Sequence, residues 1–159
     1  MEILPSIALY TGIDFARSIL ESKMEIGDPY VIDMFKRLQP APATKETKVC
    51  PVVATVSEIV LSREAASFED ICEKSLKRSW QLCMPNFGPS LRLQYLDQRE
   101  GDQMIIGMEP IVCSDQEPRI FLLECRNKKL RIRSECGCKK YFWPGFKKFV
   151  FILPSSGPN

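Results

Sequence analysis

Histidine is missing from this chain altogether. Its absence removes the commonest general base, the Ser-His and Cys-His nucleophile pairs, and the H-E-x-x-H zinc motif together. Glycine is scarce, and none of the eight glycines builds a G-x-x-x-x-G-K-[ST] loop or a G-x-G-x-x-G turn behind a strand. Phosphate cradling by a glycine-rich loop therefore has no support. Carboxylates alone could serve glycoside hydrolysis, but no spacing singles out a pair. The expectation is a protein that is not an enzyme and takes no cofactor and no small-molecule substrate.

Long apolar runs are lacking too. No stretch reaches the roughly 18 consecutive apolar residues that a membrane-spanning helix needs, so any membrane contact is expected to be peripheral. Met1-Glu2-Ile3-Leu4-Pro5 places an acid and a proline where a secretory signal has a basic start and an unbroken apolar core. Glu2 excludes myristoylation, and Ser156-Gly157-Pro158-Asn159 offers no prenylation cysteine. The seven cysteines, Cys50, Cys72, Cys83, Cys113, Cys125, Cys136 and Cys138, are odd in number and form no compact framework, which fits a reducing compartment. The expected location is intracellular and cytoplasmic, with attachment to a membrane or virion only peripheral.

Cys136-Gly137-Cys138 is the one local cysteine pair, and with Cys113 and Cys125 it would offer four thiolates to zinc. A single intervening residue strains the bite around a tetrahedral ion, so the pair reads as a turn cysteine beside a buried one and no metal is expected.

What remains is ordinary globular material: 159 residues, 45% hydrophobic and 26% charged, enough for one domain with its own core. Ile13, Ala16, Ile19 and Leu20 recur at helical spacing behind Thr11, and Asp28-Pro29 opens a second helix with Val31, Met34, Phe35 and Leu38 as its stripe. These give helices near 12–24 and 29–38 and a helical N-terminal part, residues 1–38. The polar, proline-broken segment 39–48 reads as a linker to an α+β core, residues 49–154, with a flexible tail at 155–159. Val49 to Leu61 is rich in β-branched residues and reads as a strand buried on both faces. Ser67-Phe68-Glu69-Asp70 opens the clearest helix, 68–82, ended by Pro85 and Gly88-Pro89.

Thereafter the period becomes two. Leu91, Leu93 and Tyr95 with Met104 to Met108 read as one hairpin, Ile120 to Cys125 with Lys129 to Ser134 as another, and Phe149 to Leu153 as a last strand. The predicted fold class is α+β: N-terminal helices, then a mainly antiparallel sheet built largely after residue 90, with one central amphipathic helix.

Charge is distributed unevenly. The chain carries +2 overall, yet residues 126–148 hold nine cations against Glu135, a local +8. Arg126, Lys128, Lys129, Arg131, Arg133, Lys139, Lys140, Lys147 and Lys148 are the candidate polyanion-binding residues, with Tyr141, Trp143 and Phe146 as aromatic anchors. Arginine and lysine beside aromatic rings suit phosphate contact and base stacking on a single strand, and equally suit an anionic membrane. The competing reading makes the aromatics core and the cations their solvated reverse face. Alternation places Arg131 and Arg133 on one sheet face, and Pro144-Gly145 is expected to fold Lys147 and Lys148 back toward Lys139 and Lys140, giving one continuous exposed patch.

From Val49 to Val112 the chain resembles the core of rhabdovirus matrix proteins: a β-branched strand (Val52-Val53-Ala54-Thr55-Val56), a polar turn, an amphipathic helix from Phe68 to Trp80, then apolar strands. Members of that family bind anionic membranes and nucleocapsids and assemble into a lattice, and the resemblance implies the same here. The chain departs from the family in its N-terminus, which reads as two helices, and in Pro40-Ala41-Pro42-Ala43-Thr44, which lacks a proline-tyrosine budding motif. The resulting expectation is a structural or assembly protein of matrix type that binds an anionic membrane or nucleoprotein and self-associates. The alternatives are a single-stranded nucleic-acid-binding module and a protein-interaction adaptor with its groove between the N-terminal helices and the sheet.

Overall fold

A computed structural model describes residues 1–38, 47–62 and 64–155. The elements are β1 (Glu2–Ile3), β2 (Ile7–Leu9), α1 (Phe15–Glu21), β3 (Glu25–Ile26), α2 (Tyr30–Lys36), β4 (Thr47–Thr55), α3 (Val56–Val60) and β5 (Ala66–Ser67). They continue with α4 (Phe68–Lys77), α5 (Phe87–Gln94), β6 (Gln103–Ile106), β7 (Ile111–Val112), β8 (Pro118–Arg126), β9 (Lys129–Cys136), β10 (Phe142–Trp143) and β11 (Lys148–Leu153). Among the described residues nine strands form one mixed sheet in the order β1-β4-β11-β6-β8-β9-β3, with β2 also on β4 and β7 also on β8. β11 runs parallel to β6 and β3 parallel to β9, while the other pairs are antiparallel. The predicted α+β class is thereby overturned: the fold is mixed α/β, with strands opening the chain.

The N-terminal part is not helical throughout: α1 and α2 lie within the helices expected near 12–24 and 29–38, but β1, β2 and β3 join the sheet. Glu2 and Ile3 pair with Val53 and Val52, whereas Ile7 pairs with Val49, so the segment between them carries one extra residue. That bulge coincides with Pro5, which has no N–H to give to the ladder. The predicted linker 39–48 gives up Thr47 and Lys48 to β4, and its other positions, like Ser156 to Asn159 of the predicted tail, lie outside the described residues.

The strand read over Val49 to Leu61 stops at Thr55. Thr55 Oγ1 accepts from the Glu58 N–H at 3.2 Å and the Glu58 carboxylate accepts from the Thr55 N–H at 2.9 Å, a reciprocal cap that starts α3. The strand read over Leu91 to Tyr95 is instead the end of α5, and Gly88-Pro89, read as a helix stop, lies in its first turn. Proline is tolerated there because the first N–H groups of a helix have no partner within it.

Helices cover both faces. Phe68 of α4 stacks on Phe149 at 6.0 Å and Trp80 lies 6.3 Å from Phe151. On the opposite face Phe35 of α2 meets Phe121 at 5.7 Å and Phe15 of α1 at 5.8 Å. α5 lies on that side too, since a Cβ at Gly88 would come within 2.9 Å of the Phe121 ring. The core is therefore two apolar layers either side of one sheet.

Residues 137–147 carry the chain from β9, near one edge, to β11 at the centre, crossing the α3/α4 face. Their carbonyls take the N–H groups at two helix starts: Val56 donates to Lys147 at 2.8 Å, Ser57 to Gly145 at 3.0 Å, Phe68 to Tyr141 at 2.9 Å and Glu69 to Lys139 at 3.0 Å. β10 also pairs with β5. The crossover is held by its backbone, so Phe142 and Phe146 can face outward while Trp143 turns into the core.

Candidate polyanion-binding surface

The nine predicted cations do not form one patch. Arg131 and Arg133 share a face of β9, as alternation requires, but that face also carries Glu124 of β8, whose side chain is only 4% exposed. Glu124 Oε1 lies 3.3 Å from Arg133 Nε and 3.5 Å from Arg131 Nη1, and Gln103 donates to Oε2 at 2.9 Å. Glu25 stands 3.3 Å from Arg131 Nε, outside hydrogen-bond alignment, and Glu135 accepts from Arg133 Nη1 at 2.7 Å. Both guanidiniums are matched by carboxylates, so neither offers a free charge to a polyanion.

Lys148 is paired with Asp102. Lys147 Nζ donates to Gln103 Oε1 at 2.7 Å and sits 5.7 Å from the Phe146 ring. Arg126, Lys128 and Lys129 are exposed at the β8–β9 turn, and Lys139 and Lys140 are exposed beyond the other end of β9. Eight residues of strand separate these ends, about 25 Å. The turn itself is shared with an acid: Glu100 accepts from the N–H groups of Asn127 at 2.7 Å and Lys128 at 2.8 Å. Those two backbone bonds hold the Glu100 carboxyl below its usual range.

The anchors divide as well. Trp143 is buried, edge-on to Phe149 at 5.7 Å, and belongs to the core. Tyr141 packs on it at 4.9 Å and is 45% exposed. Phe146 is 75% exposed. The predicted anchors leave out Phe142, an aromatic of the same run that is 63% exposed, and Leu61, at 83%. In β10, Phe142 and Trp143 point opposite ways, and residue type alone could not say which one faces out. Leu61 ends α3 at φ 55, a left-handed backbone that a bulky side chain seldom adopts.

The groove expected between the N-terminal helices and the sheet is filled by Phe15, Phe35 and Phe121. A recess of about 270 Å³ does lie over the open part of the other face, walled by Gly101, Gln103, Glu124, Cys125, Arg126 and Arg133. All seven cysteines are free thiols, and among the described residues no three potential ligands gather for a metal. Cys138 N–H points at Cys136 Sγ at 3.4 Å. Among the described residues no helix is long and apolar enough to cross a membrane.

No family model, curated protein or solved structure matches this chain.

Proposed function

We propose that this protein is a non-catalytic, matrix-like protein that docks on an anionic membrane through its crossover segment and the end of α3. The observation that carries this reading is the exposure of Leu61, Phe142 and Phe146 on segments stitched to one another, with Lys139 and Lys140 beside them. Large apolar side chains standing out from a basic backbone-anchored loop suit the headgroup boundary, where rings bury and ammonium groups meet anionic lipid.

Charge alone gives a weak attraction here. Arg131, Arg133 and Lys148 are neutralised, and Glu69 abuts Lys139 through its backbone bond. Insertion of the rings must supply most of the affinity, which separates this reading from nucleic-acid binding, where phosphate contacts and counterion release dominate. Matrix-like self-association belongs to the same proposal and is read by sedimentation on and off vesicles.

Co-sedimentation with phosphatidylserine-containing vesicles tests it beside a single-stranded RNA titration. Binding to vesicles is expected, with Phe142→Ser/Phe146→Ser abolishing it and Lys139→Gln/Lys140→Gln weakening it by about fivefold per lysine. Failure to bind anionic vesicles, or tight RNA binding indifferent to loss of both rings, overturns it.

A further inference from the structure

A second surface lies between α4 and the β6–β7 connection. Cys72, Leu76, Leu82 and Met108 line an apolar groove of about 290 Å³, and Glu69, Glu73 and Glu109 stand at its rim against a single Lys139. A cavity below roughly 300 Å³ is small for a metabolite and suits one or two side chains. We propose that this groove docks a segment of another protein in which an apolar side chain is flanked by lysine or arginine.

Three observations lead there. The walls are preorganised: α4 is one side, and on the other Cys83 N–H donates to Gly107 at 2.8 Å while Gly107 N–H donates to Val150 at 2.9 Å, tying the loop to β11. The rim carries a two-charge excess of carboxylate over ammonium. Among the described residues Glu73 pairs with Lys77 on the same helix, at 3.1 Å between two exposed side chains, a pair that an incoming cation can replace at little cost. Burial, then the nearby Glu109 charge, pushes the Cys72 thiol up to about 12, so at neutral pH it stays protonated and serves as an apolar wall of the groove.

A second copy is the poorer occupant. Two grooves meeting about a twofold axis would set three glutamates against three glutamates. A basic, apolar segment meets the same rim with opposite charge.

The test uses two labelled peptides, one alternating leucine with lysine and one alternating leucine with glutamate, titrated by fluorescence polarisation against the full chain. The lysine peptide is expected to bind and the glutamate peptide not. Leu76→Asp, at a half-exposed position, is expected to weaken binding by about tenfold or more. Glu73→Lys/Glu109→Lys is expected to reverse the preference toward the glutamate peptide. Circular dichroism establishes that each variant is folded, with Leu76→Ser as the milder substitute. No binding by the wild type, equal binding by both variants, or wild-type self-association that Leu76→Asp abolishes overturns the proposal. The groove and the membrane surface fail separately, because Leu76→Asp leaves vesicle binding untouched while Phe142→Ser/Phe146→Ser leaves peptide binding untouched.

Discussion

Asp33 ties α2 to the β7–β8 turn: its Oδ2 accepts from Ser114 N–H at 2.7 Å and Ser114 Oγ at 2.8 Å, and Arg37 Nε lies 3.2 Å from Oδ1. Those bonds, the Ser114 backbone first, lower its pKa from 3.8 to about 2. The unfolded chain therefore takes up this proton at a higher pH than the folded one. Its stabilisation is complete above about pH 4 and is lost as pH falls toward 2. Urea unfolding of wild type and Asp33→Asn at pH 5 and pH 2.5 should show a gap that narrows at the lower pH; a constant gap would refute this role. Arg92 shows what residue type concealed. It is fully buried, donating to Gln98 Oε1 and the Tyr95 carbonyl at 2.5 Å each, and among the described residues its acceptors are amide and carbonyl oxygens and no carboxylate. Burial lowers its pKa to about 10, so it remains charged at neutral pH. A rule that sends cations outward misplaces Arg92 and treats Arg131 and Arg133 as free, because Glu124, their partner, lies on a different strand.

At the scale of elements, the β8–β9 hairpin was legible: its alternation survives, with two residues in the turn. Asn127 at φ 53 and Lys128 at φ 62 are both left-handed, the signature of a type I′ turn whose second position favours glycine. Lys128→Gly keeps the N–H that Glu100 accepts and removes the side-chain strain, so thermal melts should show a gain of about 0.5–1 kcal/mol; a loss would mean the lysine side chain itself is needed. α5 was illegible for a different reason. Its inward face is Phe87, Ser90, Leu91 and Gln94, at helical spacing but half polar. Ser90 Oγ accepts from Tyr10 N–H at 2.9 Å, while Gln94 accepts from Ala8 N–H at 3.0 Å and donates to its carbonyl at 2.7 Å. The Gln94 amide completes the outer side of β2 as a strand would, so polar residues are buried against a sheet edge that no local pattern reveals. α3 had a legible signal, Thr55-x-x-Glu58, outweighed by β-branched composition.

For the whole molecule, composition and hydrophobic pattern conveyed a globular core but not its strand order, since β11 lies between β4 and β6, strands far from it in sequence. The exposed rings of the candidate surface were equally hidden, because the crossover that presents them is set by where β11 inserts. Before β11 is in place there are two half-sheets, β1/β2 with β4 and β6 through β9 with β3, each with an open edge. A chain stopped before Lys148 should pellet on expression, and a peptide of residues 148–155 added during refolding should return soluble protein; a soluble, folded truncation would show that β11 is dispensable. On the ribosome the same arrangement postpones closure of the sheet until β11 has emerged. Until Lys148–Leu153 leaves the exit tunnel, β4 at Val52 and Val53 and β6 at Ile105 and Ile106 keep their β11-facing edges open, two β-prone strands that can pair with each other or with a neighbouring nascent chain.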